Sequence, residues 1–449
     1  MASGEKSWAV DVRSQLKNAN PAEEMELWKR QSIYRVPACI KDLNSKAYKP
    51  QVVSFGPFHH GEAQVMPMEE HKHRALLHIL KRSEKRFDDF VTAMGEVVQE
   101  LQDAYQNLDE EWRREKQKFL QLMIVDGCFM LEIIRASTGP SNDYAFNDPI
   151  FSSHGVLYTV PYIRRDMLMI ENQLPLLVLE NLVAVETGRP KNEDQINKLV
   201  LKFCAPIARP PLAGLGLGLH ALDLFRRSML YGPTHRSAAV SEPASSEIIR
   251  SAVELYEAGI RFKKSKTSSL HDIKFSHGVL SLPVIVVDDT TEFMFLNLMA
   301  FERLHVGAGN EVTSYVFFMD NIIDSAKDVS LLNSKGIIQN AVGSDKAVAK
   351  LFNSLSKDVV LDPESSLDGV HRKVNAYCRK RWNMWRANLI HTYFRSPWAV
   401  LSLAAAIFLL LLTVLQTFYS VYPYYKPSES GGSSPSPPVL APPPFRSRH

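Results

Sequence analysis

Residues 119–134 read FLQLMIVDGCFMLEII, a run in which almost every side chain is apolar. A helix of this composition is apolar on most of its faces and has to be buried on most of them. We therefore predict that a helix over residues 111–136 is the central helix of the domain. Asp126 lies inside the run, and a charged group in that setting needs a buried partner.

Outward from this run, the spacing of apolar residues is helical far more often than it alternates. Alternation typical of strands occurs only near residues 51–56 and 274–288. A strand count this low does not suit a doubly wound sheet. We predict a mainly α fold (α+β with a few short strands): a large multi-helical globular domain plus one C-terminal transmembrane helix. The helical spacing recurs over 68–82, 89–107, 162–186, 246–263, 293–305, 311–324, 328–339 and 344–355.

Shifts in composition divide the chain into five regions. Residues 206–246 are rich in Pro, Gly, Ala and Ser, which predicts a flexible loop inside the globular domain. The end of the chain is rich in proline and predicts disorder. The predicted regions are a mobile arm (1–31), the helical globular domain (32–370), a basic juxtamembrane helix (371–396), the transmembrane helix (397–421) and a proline-rich disordered tail (422–449).

The transmembrane prediction depends on residues 398–419, WAVLSLAAAIFLLLLTVLQTFY, which carry no charge. A helix of this length spans roughly 33 Å, enough for the hydrocarbon core of a bilayer. A buried core helix is the alternative, but such helices rarely run this long without a charge. The residues expected to anchor the helix in lipid are Trp398, Leu401, Ile407, Leu410, Leu415 and Tyr419.

The charges that flank this helix predict its orientation. Seven basic residues and no acidic one precede it, whereas only Lys426 follows it closely. The positive-inside rule then places the globular domain in the cytosol, in a membrane that the sequence does not identify. The same segment also suits a helix lying on anionic lipid. The basic residues are Arg372, Lys373, Arg379, Lys380, Arg381, Arg386 and Arg395.

Overall charge and cysteine content exclude other classes of protein. The 449 residues carry 52 basic and 49 acidic side chains, so a net charge of +3 does not indicate nucleic-acid binding. The four cysteines lie far apart and form no C-x-x-C pair, which favours buried thiols over disulfides or metal ligation. The first residues contain no apolar run typical of a signal peptide.

Two polar clusters could carry chemistry. One contains five histidines and three glutamates between residues 59 and 78, but no spacing in it fits an ordinary zinc site, so we expect it to be structural. The other is Glu171-Asn172-Gln173 in an apolar stretch, where buried hydrogen bonds between elements are the more frequent role. We assign no catalytic residue, cofactor or metal ligand. The first cluster consists of His59, His60, Glu62, Glu69, Glu70, His71, His73 and His78.

Ten strings along the chain resemble, in order, the plant family called domain of unknown function 247. The resemblance implies a membrane-anchored plant protein of unassigned biochemistry. Some members in grasses are linked to self-incompatibility, which implies recognition rather than catalysis, and no catalytic residue is carried over. The strings are IYRVP (33–37), VSFGPFHHGE (53–62), MEEHKHRALL (68–77), DPIF (148–151), DMLMIENQLPLLVL (166–179), AVELYEAGIRFK (252–263), TTEFMFLNLMAFE (290–302), SYVFFMDNIIDSAKDVSLL (314–332), GIIQNAVGSD (336–345) and YFRSPWAVLSLAAAIFLLLLTVLQTFY (393–419).

Two classes of function therefore stay open. The first is a non-enzymatic recognition or scaffold protein in the lipid bilayer, with unidentified protein partners and no small-molecule substrate. In it, the loop 206–246 either helps to set partner choice or is a tolerated insertion without a role. The alternative is a membrane-bound hydrolase or metal-dependent enzyme that uses the segment 59–78 or Glu171. A pocket joining Glu171 with His59 or His71 would favour the enzyme, and separate packed positions would favour recognition.

Overall fold

The computed structural model divides the chain into two compact units, a globular unit (Met1–Met384) and a C-terminal unit (Trp385–His449). Arg395, the tail beyond Tyr425 and most of the predicted loop lie outside the described residues. The structure describes residues 8–9, 12–14, 16, 20–42, 44–139, 143–205, 214, 216–232, 249–357, 367–386 and 397–425.

The globular unit is mainly helical, as the sequence predicts, with five short strands among its described residues. Two 3₁₀ helices cover Ser45–Tyr48 and Met66–Met68. The α-helices are α1 (Pro21–Arg30), α2 (Ala38–Lys41), α3 (Glu69–Ser83), α4 (Phe87–Glu96), α5 (Val98–Asp103), α6 (Glu110–Arg114), α7 (Lys116–Thr138), α8 (Ser153–Tyr158), α9 (Val160–Asp166), α10 (Leu176–Thr187), α11 (Glu193–Cys204), α12 (Ala221–Leu230), α13 (Ala252–Glu257), α14 (Thr291–Leu304), α15 (Glu311–Ile322), α16 (Ala326–Ser334), α17 (Asp345–Leu355) and α18 (Asp368–Cys378). The strands are β1 (Arg261–Lys264), β2 (Lys274–Ser276), β3 (Val279–Leu282), β4 (Ile285–Val287) and β5 (Ile338–Asn340).

Helix α7 is the central helix that the sequence predicts. Its residues from Phe119 to Ile134 are buried with the single exception of Gln121. It packs against α3, α4, α10 and α11. Close packing on α10 depends on Gly127, because a Cβ at that position would lie within 2.7 Å of the side chains of Val178 and Leu182. A side chain at this point would force the two helices apart.

The buried partner expected for Asp126 is Lys72 on α3. Both side chains are 0% exposed, and the Lys72 ammonium lies 2.8 Å from Asp126. Lys72 also lies 2.6 Å from Glu69 and donates to the Ser54 hydroxyl at 3.1 Å. The other oxygen of Asp126 accepts from the Gly56 N–H at 2.8 Å. A charge pair with this many partners fixes how α3 and α7 meet, since any slip would leave a charge without a partner.

Helix α12 lies inside the region 206–246, for which the sequence predicts a flexible loop, so the prediction is wrong for this part. Most of α12 is buried. Burial lowers the pKa of His220, which precedes the helix, to about 4. The neutral ring accepts from the Asp223 N–H and donates to the Ser32 carbonyl. The Gly and Ala content suggested a loop, but the apolar side chains between residues 221 and 230 have a helical spacing that packs.

The strands form two small sheets that are separate in hydrogen bonding. In the first sheet the order is β1-β3-β2, with β1 parallel and β2 antiparallel to β3. In the second, β4 and β5 are parallel. The sequence predicted a helix over 246–263, but α13 ends at Glu257 because Gly259 turns the chain with φ +97 into β1.

The basic region 371–396 starts as two helical segments instead of one helix. Helix α18 ends at Cys378, and residues 381–386 form a further turn of helix. The break is stabilised because the Asn383 side chain donates to the Tyr377 carbonyl at 2.8 Å, a group that would otherwise bond along a continuing helix.

The described part of the C-terminal unit contains helix α19 (Pro397–Tyr425), 29 residues long. Its segment Leu401–Tyr422 is the one helix among the described residues that is long and apolar enough to cross a membrane, and none of that segment is buried. Helix α19 extends four residues beyond the end of the predicted helix 397–421.

The Lys72–Asp126 pair generates a test of the core. We expect Lys72→Met to lower the free energy of unfolding by about 3–5 kcal/mol, because Asp126 is left as a buried charge without its ammonium partner. Adding Asp126→Asn should recover at least half of that loss, since an amide oxygen still accepts from Gly56. Urea unfolding of the full-length protein in micelles measures both.

Lys81→Met is the matched control, because Lys81 is an exposed residue of the same helix. It should change the free energy of unfolding by less than about 0.5 kcal/mol. Equal effects of the Lys72 and Lys81 substitutions would contradict a structural role for the pair.

Candidate functional site

The segment 51–56 enters the core without regular secondary structure, and no described strand pairs with it. The sequence predicted a strand here, but side chains take the place of the neighbouring strand. Asp166 accepts from the N–H groups of Gln51, Val52 and Val53 at 2.7–3.2 Å. The N–H of Phe55 donates to Asn172, and the next N–H, at Gly56, donates to Asp126. Buried backbone donors need such partners, so these three side chains hold the segment in place.

Asn172 and Gln173 act as the buried ties that the sequence predicts. Asn172 donates to the carbonyls of Val53 and Asp166 at 3.0 and 2.9 Å. Gln173 donates to the carbonyls of Met167 and Met169, and its oxygen accepts from the Leu222 N–H. The amide groups are therefore engaged with backbone from neighbouring segments, and Gln173 also ties α12 to the turn that precedes α10.

Glu171, the third member of this motif, meets the histidine-rich segment. One carboxylate oxygen accepts from the Val36 N–H at 2.5 Å. The other lies 2.7 Å from the Lys41 ammonium and 3.4 Å from Nε2 of His59. His59 is itself buried, and its Nδ1 lies 2.7 Å from Glu62. The histidine-rich segment 59–78 and the motif 171–173 are separate clusters in the sequence. The fold joins the two clusters through the contact between His59 and Glu171.

The electrostatics of Glu171 are those of a stabilised carboxylate. Burial by itself would raise the pKa of Glu171. Hydrogen bonds and charges from His59, Lys41 and the Val36 N–H outweigh burial, so the pKa is lowered from its ordinary value of 4.5. Glu171 is therefore ionised at neutral pH and acts as an anion beside the Lys41 ammonium, the His59 ring and one backbone N–H, rather than as a proton donor.

The contacts of the other histidines of the segment 59–78 are with residues other than Glu171. His60 meets the edge of the Trp112 ring, and His71 lies 2.8 Å from Arg74. His73 bonds the Glu69 carbonyl within its own helix. His78 stacks on Tyr144 with ring centroids 3.9 Å apart. Among the residues that the structure describes, no three His, Cys, Asp or Glu side chains are arranged to hold a metal ion.

A further charged cluster involves residues that the sequence left unassigned. Arg226 of α12 donates to Glu302 at 2.8 Å and to Glu311 at 2.5 Å. Glu302 also accepts from the N–H groups of Val312 and Thr313. The cluster joins α12 to α14 and α15. A charge inside an apolar helical pattern is the signal that could have found Arg226 and Glu302, since both occupy buried positions of their helices.

Of the residues predicted to set the membrane topology, Arg372 is half-buried and the other described ones are exposed. Lys373 lies on α18, and Lys380 and Arg381 lie at the break that follows. In the C-terminal unit, Arg386 is exposed. The six predicted lipid anchors lie along α19 and are each more than half exposed. They are Trp398, Leu401, Ile407, Leu410, Leu415 and Tyr419.

Comparisons with known proteins agree with the resemblance. Residues 33–412 match the profile of the family DUF247, described as plant protein of unknown function. The chain belongs to DUF247. It is 31% identical to UPF0481 protein At3g47200 of Arabidopsis thaliana, over 91% of this chain and 90% of that protein. It is 26% identical to a second UPF0481 protein of that plant, At3g02645, over 93% and 95%. No solved structure matches the chain.

The DUF247 match covers both the polar ties and the start of the apolar helix. Its range includes 51–56, Glu171 and His59, and it extends to residue 412, inside α19. The family description names no reaction, so the geometry of the site is the guide to its role.

A stability measurement against pH tests the role of Glu171. A carboxylate with a lowered pKa contributes stability that is complete above about pH 4.5 and is lost as pH falls through its folded-state pKa. We expect Glu171→Gln to lower the free energy of unfolding by about 2 kcal/mol at pH 7. The difference from the unaltered protein should shrink steadily below pH 4.5.

Glu70→Gln provides the comparison, because Glu70 is exposed on the neighbouring helix α3. It should leave stability within about 0.5 kcal/mol at every pH. A Glu171→Gln difference that does not change with pH would show that charge is not what Glu171 contributes.

Proposed function

We propose that this DUF247 protein is a membrane-anchored recognition or scaffold protein, and not an enzyme. The observation that supports the proposal is that the buried polar side chains able to carry chemistry are already bonded within the fold. Asp126, Asp166, Asn172 and Gln173 are bonded to backbone or to a buried cation. A catalytic group needs to reach a substrate, whereas these groups hold elements of the fold together.

Support for the membrane anchor comes from α19. An exposed helix of this length with no charged residue between 396 and 425 is unstable in water and suits the interior of a bilayer. The basic side chains precede it, so the positive-inside rule supports a cytosolic globular unit. Anchoring would also favour weak recognition, because confinement to a membrane raises the effective concentration of a partner in the same membrane.

A surface for such recognition lies on α8 and α9, which pack side by side. Leu157, Tyr158 and Tyr162 are 64%, 60% and 54% exposed. Exposed aromatic side chains grouped in this way are typical of the centres of protein interfaces, where tyrosine contributes large contact area at low entropic cost. The link to self-incompatibility or signalling stays a prediction from the family resemblance.

The contact between His59 and Glu171 favours a second candidate, a membrane-bound hydrolase or metal-dependent enzyme. His59 Nε2 faces Glu171 at 3.4 Å without a hydrogen bond of good geometry. Metal analysis of the purified full-length chain separates the candidates. A stoichiometric zinc or manganese ion that is lost in His59→Ala or His71→Ala would support the enzyme, and a metal content well below one per chain supports recognition.

The anchor can be tested by disrupting α19. Arginine at the middle of a membrane helix costs about 2.5–3.5 kcal/mol per residue. We therefore expect Leu410→Arg combined with Leu411→Arg to move most of the protein from the carbonate-resistant membrane fraction into the soluble fraction. Leu77→Arg, at an exposed position of α3, should leave the protein in the membrane.

Protease added to sealed microsomes tests the orientation of the same protein. Digestion of the globular unit with survival of a small C-terminal fragment is the expected result. Protection of the whole chain would contradict the proposed orientation. Extraction of the unaltered protein by carbonate would contradict the proposed membrane anchor.

Proximity labelling from the globular unit, in intact membranes, tests recognition. We expect Tyr158→Ala with Tyr162→Ala to reduce labelling of specific neighbours at least fivefold, because two exposed aromatic contacts of an interface are removed. Replacing residues 233–246 by a Gly/Ser linker of equal length tests the end of the predicted loop 206–246, which follows α12.

The control is Tyr231→Ala, since Tyr231 is a similarly exposed tyrosine at the end of α12. The double tyrosine variant and the linker variant could each fold normally and label the same neighbouring proteins as the unaltered protein. That result would exclude these two surfaces as the recognition site.

A further inference from the structure

The two sides of helix α19 differ in composition. Within its apolar segment Leu401–Tyr422, the polar residues that are not aromatic are serine, threonine and glutamine. At about 100° of rotation per residue, all of them project within one arc of about 100° around the helix axis. One alanine and one leucine share that arc. We call these seven residues the polar face: Ser402, Ala406, Leu409, Thr413, Gln416, Thr417 and Ser420.

The polar face has the spacing of a seam between two helices. Its positions 402, 406, 409, 413, 416 and 420 follow one another in alternating steps of four and three residues. This heptad spacing keeps one side of a helix against a partner along its whole length. Four of the six are serine, alanine or threonine, which let two backbones approach closely in a membrane.

The opposite side of α19 carries large apolar side chains. Phe418 and Tyr422 stack there with their ring centroids 5.3 Å apart. Side chains of this kind are at home among lipid chains and gain little from leaving them for another helix, because lipid is as apolar as they are. The remaining large residues of this side are Ile407, Leu411 and Leu415.

Spacing by itself does not require a partner, but the Gln416 side chain does. The Thr413 hydroxyl donates to the Leu409 carbonyl, and the Thr417 hydroxyl donates to the Thr413 carbonyl, each at 2.8 Å. Both threonines are therefore satisfied within α19. Gln416 is exposed, and its amide has no hydrogen-bond partner among the residues that the structure describes. An amide offers two N–H donors and one acceptor oxygen, so all of these groups remain unbonded.

The depth of Gln416 makes this amide costly in a bilayer. The midpoint of the segment Leu401–Tyr422 falls between Leu411 and Leu412. Gln416 lies about 7 Å further along the axis, whereas the hydrocarbon extends about 15 Å from the bilayer centre. Side chains of a helix lean toward its N-terminus, which for Gln416 is toward the middle of the bilayer. The amide therefore does not reach the headgroups and is removed from water as a core residue is.

We propose that α19 pairs in parallel with α19 of a second copy of this chain through the polar face. This inference rests on the proposed anchor and deepens it. A second copy fits because it inserts in the same orientation and brings its own Gln416 to the same depth. An amide both donates and accepts, so the two Gln416 side chains bond reciprocally across a two-fold axis. The small residues at the other seam positions let the helices come close enough for this bond.

Pairing would give the proposed recognition function a physical advantage. Two globular units in one assembly offer two copies of any recognition surface. When a partner is itself clustered in the membrane, the second contact forms at a high effective concentration, so contacts that are weak singly bind more tightly together.

The test uses the full-length protein, labelled at its C-terminal end with a donor or an acceptor dye and reconstituted at low density in phosphatidylcholine vesicles. We expect energy transfer between copies that excess unlabelled protein abolishes. Gln416→Leu should lower the association constant at least about fivefold, because the reciprocal hydrogen bonds are lost. Gln416→Asn keeps an amide at the same position and should retain most of the transfer.

Two neighbouring alanines give a matched pair of variants for the face itself. Ala406 lies on the polar face, and Ala404 lies nearly opposite to it around the helix. Ala406→Ile places a bulky side chain in the seam and should lower the association constant at least about fivefold. Ala404→Ile makes the same change in composition toward lipid and should leave the constant within about twofold.

Carbonate extraction of the same samples separates this inference from the anchor. Extraction of the unaltered protein would overturn the anchor. A retained protein whose energy transfer is no greater than chance proximity would overturn the pairing and leave the anchor standing. Transfer that survives both Gln416→Leu and Ala406→Ile, or that falls equally in Ala404→Ile and Ala406→Ile, would overturn the polar face as the contact.

Discussion

The fold depends on how the backbone of residues 51–56 is satisfied inside the core. Without a described strand beside it, this segment would bury N–H groups that have lost water, at a cost of about 1–3 kcal/mol each. Asp166, Asn172 and Asp126 accept five N–H groups of the segment, and those of Val53, Phe55 and Gly56 are buried. Each of these acceptors belongs to a different part of the chain, so this one segment ties α7, α9 and the turn before α10 together.

That constraint explains why polar residues collect where they do. Asp126 has to be charged or strongly polar to accept from Gly56, and its charge in turn requires Lys72. Glu171 lies next to Asn172 and contacts Lys41 and His59. The histidine-rich region and the Glu171 motif therefore meet in one group of structural contacts. Such contacts explain why these carboxylates and this histidine are buried.

The surface shows a different distribution. Asp166, Asn172 and Gln173 have partners in the core, whereas aromatic residues on α8 and α9 and several cations of the region that follows Val370 are exposed. These are the kinds of side chain that bind proteins and anionic lipid, respectively.

The sequence by itself determined the features that depend on local periodicity and composition. The central helix around 119–134, the mainly α class and the apolar helix near 398–419 follow from the spacing and the content of apolar residues. The need for a partner to Asp126 also followed, because a buried charge is costly wherever it lies. Only the tertiary structure decided that the partner is Lys72, that Glu171 meets His59, that α12 packs in the core, and that Tyr377 covers the turn between β2 and β3. Each of these is a contact between residues far apart in the chain, and local pattern carries no information about which distant group satisfies a polar atom or covers a glycine.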